Sequence, residues 1–168
     1  MRLILLAAAC AALATPAFAQ VKCELQHAVY ADPENGFELR FRSGESWEYP
    51  GMTDAIIDMV TPDGKKLWGS ITSNMGTSRQ VGHLYYGCKQ PGRDDDDLTE
   101  EQYEACSQWE GVVYAINKGE PGFLPFQDEP APERILLTDL GRQLRYSDVV
   151  DGPGDEPWDV LNFKRCSK

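Results

Sequence analysis

The sequence predicts a mainly β protein, α+β at the margin, built on a single antiparallel sheet that forms a sandwich or an open barrel, with one short helix near 99–107. Three observations carry this expectation. Leu67–Cys88 (LWGSITSNMGTSRQVGHLYYGC) reads as two arms rich in aromatic and β-branched residues around a polar, glycine-containing connection, the composition of a half-buried pleated surface. Phe37, Leu39 and Phe41 alternate with Glu38, Arg40 and Arg42, which gives a strand one buried and one charged face. Residues 54–88 repeat the strand-turn pattern twice more, so they read as a three-stranded meander.

The chain opens with Met1-Arg2, an apolar run from Leu3 to Leu13, and Ala17-Phe18-Ala19. These are the three parts of a secretory signal peptide, and the run is too short for the roughly 20 apolar residues that span a bilayer. Cleavage is expected after Ala19, leaving residues 20–168 as one β-rich domain. A lipoprotein signal needs a leucine-like residue three before its cysteine, and Ala7 stands there before Cys10.

Val21–Ala31 is the expected first strand, with His27 packed among apolar neighbours. Asp32-Pro33-Glu34-Asn35-Gly36 is a turn cluster, and the alternating strand follows it. Ser43–Gly51 reads as a loop whose Trp47 and Tyr49 fold back over the core, because aromatics contribute large buried area where they pack. Asp54–Thr61 is the next strand. Pro62-Asp63-Gly64 turns the chain, with proline presetting φ and glycine accepting positive φ. Leu67–Thr72 and Gln80–Cys88 complete the meander.

Lys89–Asp97 interrupts the sheet with four consecutive aspartates, Asp94 to Asp97. An EF-hand loop needs alternate oxygen ligands, a glycine in mid-loop and a closing glutamate; the glycine position is not filled. The aspartates suit instead the positive end of a helix beginning at Glu100. Thr99 and Gln102 form its capping box, with Leu98 and Tyr103 placed for a hydrophobic staple.

Trp109–Asn117 is a strand, and Lys118-Gly119 a turn. Glu120–Pro132 holds four prolines and reads as an extended surface loop pinned to the core by Phe123, Leu124 and Phe126. Glu133–Asp139 is a strand around Ile135-Leu136-Leu137, followed by a helical turn through Leu140 and Leu144. Ser147–Pro157 is loop, and Trp158–Cys166 a terminal strand.

Four cysteines remain after cleavage: Cys23, Cys88, Cys106 and Cys166. In an exported chain an even count reads as a disulfide framework. Four cysteines allow three pairings, of which Cys88–Cys106 and Cys23–Cys166 are favoured. The first closes the acidic excursion after the hairpin; the second ties the first strand to the last. The expected location is the periplasm or the extracellular medium.

Removing Arg2 with the leader leaves 15 basic residues of the original 16 against 27 acidic ones, a net charge of −12. That balance argues against nucleic acid and anionic lipid as partners, since both are gripped by clustered Lys and Arg. It suits a cationic partner. No later segment is long and apolar enough to span a membrane, and a monomer is expected.

The sequence holds no H-E-x-x-H, G-x-S-x-G or G-x-x-x-x-G-K-[ST] pattern. Pairing of the cysteines leaves no thiol nucleophile, and His27 and His83 are the only imidazoles. The expectation is therefore no catalytic, cofactor or metal residue. The connection Ser73–Arg79 is rich in hydrogen-bonding groups, and loops held by a rigid sheet are common binding elements. Ser73, Asn74, Thr77 and Arg79 are its candidate binding residues. Trp68, Tyr85, Tyr86 and Trp109 are candidates for an aromatic platform, though strand aromatics also pack across a sheet.

The leading strand with HAVYA at 27–31, LYYGC at 84–88, WEGVVYA at 109–115, PERILL at 132–137 and the closing PWD with Cys166 resemble a group of small exported bacterial proteins. That resemblance implies no particular activity. The chain is more loosely similar to the C-type lysozyme inhibitors, which are exported, acidic, disulfide-tied and β-rich, and which insert an S-G-x-x-Y-like loop into the lysozyme cleft. Ser73-Asn74-Met75-Gly76 departs from that pattern at its second residue. The expected function is thus non-enzymatic binding of a partner or small ligand in the cell envelope. Inhibition of a cationic cell-wall hydrolase is the first alternative and a cryptic hydrolase the second; the latter requires a carboxylate and His83 to converge in a pocket.

Overall fold

The computed structural model describes residues 23–49, 51–73, 79–95 and 97–167. The signal-peptide reading, on residues 1–19, lies outside them. Among the described residues nine strands form: β1 (Ala28–Ala31), β2 (Glu38–Arg42), β3 (Thr53–Val60), β4 (Lys66–Thr72), β5 (Gln80–Tyr85), β6 (Ser107–Asn117), β7 (Glu120–Gly122), β8 (Arg134–Leu137) and β9 (Val160–Cys166). Helix α1 spans Glu100–Cys106 and α2 spans Leu140–Leu144.

The sheet closes on itself. Strands β1 to β6 run as an up-and-down meander; β8 and β9 continue it, β9 pairs back onto β1, and β5 pairs with β6. The result is an eight-stranded antiparallel barrel, with β7 an extra strand on β6. Closure removes the open edges that a free sheet would present. Because neighbours are antiparallel, the connections alternate between two ends. One end, the loop rim, carries the described residues 43–49, 51–52, 73, 79 and 118–133; the other, the floor, carries 32–37, 61–65, 86–95, 97–106 and 138–159.

Strand alternation fills the lumen. Phe37, Leu39 and Phe41 point inward as their spacing predicts, joined by Ile57, Met59, Leu84 and Trp109, all at most 2% exposed. Trp109 spans the interior and its Nε1 donates to the Thr138 carbonyl at 2.9 Å. Such a ring fits because small residues face it: a Cβ on Gly82 would stand 2.8 Å from the indole. An eight-stranded barrel has room for its own side chains or for one small ligand; here the side chains take it. Leu140, Leu144 and Val149 close the floor, and Leu25 and Leu124 the loop rim.

Two disulfides join Cys23 to Cys166 and Cys88 to Cys106, the pairing that the sequence reading favours. The first lies at the β1–β9 seam, where Ala28 faces Cys166. Two such bonds belong to an oxidising compartment. No helix among the described residues is long and apolar enough to cross a membrane.

Three local expectations are corrected. Residues Leu25–His27 form a 3-10 turn rather than strand, because the backbone N–H groups of Leu25 and Gln26 donate across to Glu129 and Gln127. Strand β5 ends at Tyr85, since Tyr86 N donates to the Cys106 carbonyl as the chain bends toward its disulfide. Of the three expected anchors in the 118–133 connection only Leu124 is buried; Phe123 is 63% and Phe126 77% exposed. That loop is pinned instead by backbone bonds, including Ala131 N to Cys23 O at 2.8 Å, and by the buried Tyr30 hydroxyl donating to Pro132 O at 3.1 Å.

Candidate functional site

With the lumen filled, recognition falls to the outside. The candidate loop joins β4 to β5 on the loop rim. Its described ends are Ser73 and Arg79; Asn74 and Thr77 lie outside the described residues. The Ser73 hydroxyl donates to the Asp54 carboxylate, and Gln80 Nε2 donates to the same oxygen at 2.8 Å. Gln80 Oε1 in turn accepts the Leu124 N–H at 2.7 Å. The Arg79 guanidinium lies 5.6 Å from the Tyr114 ring centre and 5.3 Å from that of Phe123, where the ring quadrupoles attract a cation. These contacts tie the base of the candidate loop to the proline-rich loop beside it.

Between the two loops lies a cleft of about 230 Å³, lined by Asp54, Ser73, Arg79, Phe123 and Phe126 among others. Phe126 is held at its backbone, its N–H donating to Glu129 Oε2 at 2.9 Å, while the ring stands in solvent. Nothing in the sequence marked these two rings as exposed: a Phe-x-x-Phe spacing in a loop is equally compatible with anchoring.

The outer wall carries a second feature. Trp68 packs on Tyr85 with ring centres 4.6 Å apart, and Tyr103 of α1 meets both, at 6.4 and 5.3 Å. The Thr99–Gln102 capping box forms as expected, and the Cys88–Cys106 bond fixes the far end of α1. Trp68 Nε1 donates to the Cys88 carbonyl at 3.0 Å, and the Tyr103 hydroxyl to Asp97 at 2.7 Å. Burial foremost, and then Asp97, pushes the Tyr103 phenol upward, so it stays neutral and donates. A groove of about 290 Å³ borders this cluster, and Trp47 is also in its lining. Of the four proposed platform residues, the structure brings Trp68 and Tyr85 together and places Trp109 in the lumen. Tyr103 completes the cluster; its staple position was the only hint.

Trp47 does not cover the core but remains partly exposed, whereas Tyr49 is half-buried and donates to Gln127 Oε1 at 2.9 Å. Within the aspartate block, Asp95 and Asp97 are turned to the chain's own donors. Asp95 accepts Lys89 Nζ and Gly92 N, each at 2.8 Å, and Asp97 accepts Leu98 N at 2.9 Å. Among the described residues no group of three or more His, Cys, Asp or Glu is arranged to hold a metal.

His83 stacks on Tyr85 on the barrel exterior, with Nδ1 3.9 Å from Glu110 Oε2. Neither residue lines the loop-rim cleft or the outer-wall groove, so the convergence that a hydrolase reading requires does not occur at either. No family model, curated protein or solved structure matches the chain.

Proposed function

We propose that the protein is a non-enzymatic, exported component of the cell envelope, periplasmic or secreted, that binds a partner through its loop rim. The observation that carries this reading is the gathering of Phe123 and Phe126, both mostly exposed, beside Ser73 and Arg79 around one cleft. Large apolar side chains grouped in solvent mark interaction surfaces, and aromatic and arginine side chains dominate the energetics of such surfaces. The described rim residues are tied to the barrel, Ser73 and Gln80 through Asp54 and the 118–133 connection through its backbone bonds, which limits the ordering cost of binding at those residues. The test is capture from envelope extract with the intact protein and with a Phe123→Ser/Phe126→Ser variant. A specific partner retained by the first and lost by the second is expected. No partner above background, together with turnover on a hydrolase panel, overturns the reading.

Inhibition of a cationic cell-wall hydrolase is the favoured special case. The Asp54 carboxylate lies at the base of the candidate loop, in a chain of net charge −11, and opposite charge steers such encounters. Lysozyme inhibition at low salt that fades as salt rises is the expected result; no inhibition at low salt removes this case and leaves the broader one standing.

A further inference from the structure

The geometry points to a second binding site at the opposite end of the barrel, a cleft for a neutral saccharide between Trp158 and Tyr146. It is the roomiest of the clefts described, at about 500 Å³, within the range of small-molecule sites. Two exposed aromatic rings line it: Tyr146 is 80% and Trp158 58% exposed.

Trp158 is held by design rather than left loose. The Asp32 carboxylate, 6% exposed, accepts the N–H groups of Glu34 at 2.8 Å, of Asn35, and of Trp158 at 2.6 Å. Glu34, fixed in this way, accepts Trp158 Nε1 at 3.1 Å. The bond takes up the indole's single donor at its edge, and most of the ring stays in solvent. On the other side, Asp159 accepts the Asp139 and Gly141 N–H groups at 3.0 and 2.9 Å, fixing the start of α2, whose end delivers Tyr146. Trp158 is thus anchored directly by carboxylates, and the helix that leads to Tyr146 is anchored at its start, which limits the entropy lost on binding at the Trp158 side.

The ligand class follows from what surrounds the rings. Flat aromatic surfaces suit the C–H faces of pyranose rings, while guanidinium, amide and carboxylate groups match their hydroxyls. Arg142 and Arg145 line the cleft, but each has an acidic neighbour: Arg142 Nε donates to Asp139 at 2.6 Å, and Arg145 Nη1 lies 3.9 Å from Glu156. With its arginines so matched and the chain at −11 overall, the cleft offers no surplus positive field to an anion. A neutral saccharide fits the balance; a polyuronate does not.

The test uses the intact, oxidised protein labelled with ¹⁵N. Titration with maltotriose and with chitotriose is followed at the Trp158 indole resonance, assigned through a Trp158→Phe variant. Saturable shifts with at least one of these neutral sugars are expected. Trp158→Ala and Tyr146→Ala, both at exposed positions, are each expected to weaken binding at least tenfold, read by calorimetry. Phe123→Ser, at the other end, is expected to leave it unchanged, which separates this site from the loop rim. No saturable shift at millimolar neutral sugar, an affinity unaffected by Trp158→Ala, or tighter binding of trigalacturonate than of either neutral sugar overturns the inference.

Discussion

Trp109 lies directly over Gly82, so close that a β-carbon there would meet the indole ring at 2.8 Å. The pair sets the bore of the barrel: one residue supplies the filling and the other supplies the space. Gly82→Ala is expected to destabilise the protein by about 1–3 kcal/mol, the usual cost of overpacking a filled core. Gly122→Ala, where nothing lies within 4 Å, is expected to be near neutral. Urea unfolding followed by tryptophan fluorescence measures both.

The two disulfides are expected to contribute unequally. Cys23–Cys166 spans 143 residues and Cys88–Cys106 spans 18. In the chain-entropy model the longer loop contributes about 5 kcal/mol and the shorter about 3 kcal/mol. Denaturation midpoints of the two Cys→Ser double variants should fall in that order; a larger loss for the short loop would show that enthalpic effects prevail.

Acid should weaken the β1–β2–β9 seam. Arg165, with Lys164 and Arg40, holds the Glu38 carboxyl well below the ordinary value, burial opposing them. A carboxyl depressed in the folded state stabilises it above the unfolded value and loses that contribution as pH falls through the folded one. The loss therefore begins near pH 4.5, the ordinary value, and continues below it. Glu38→Gln is expected to flatten the acid side of the stability curve while lowering stability at neutral pH. An unchanged acid slope in that variant would refute the assignment.

Asp32 supports three backbone donors from the β1–β2 turn and the chain leading into β9. Asp32→Ala strands them, and removing a charged acceptor from these partly buried donors costs about 1–3 kcal/mol. Thermal unfolding of Asp32→Ala beside Asp32→Asn, which keeps an acceptor, separates this loss from a simple change of charge.

Much of the fold was legible because local pattern and tertiary role agree. Phe37, Leu39 and Phe41 alternate in the sequence and in the wall of the barrel alike, and Thr99 and Gln102 cap α1 by a contact four residues wide. What escaped depends on distant partners. Closure of the barrel rests on Ala28 meeting Cys166, a register that no short window encodes. Trp68 and Trp109 look alike in their strands, yet one faces outward and the other inward, because a one-residue change of parity exchanges the faces of a strand. Phe123 and Phe126 read as anchors because hydrophobicity alone does not reveal that backbone bonds to the 3-10 turn already hold their loop. The Trp158 cleft was illegible for the same reason: Asp32, Glu34 and Trp158 are brought together by the fold, Asp32 and Trp158 from 126 positions apart.

The bridge between Cys23 and Cys166 has a mechanical consequence. Tension applied from the N-terminal side of Cys23 and the C-terminal side of Cys166 runs through the sulfur–sulfur link, bypassing every strand between them. The barrel should therefore resist being unzipped from its ends until a reductant cuts that link, so its mechanical strength is set by the redox state of its surroundings.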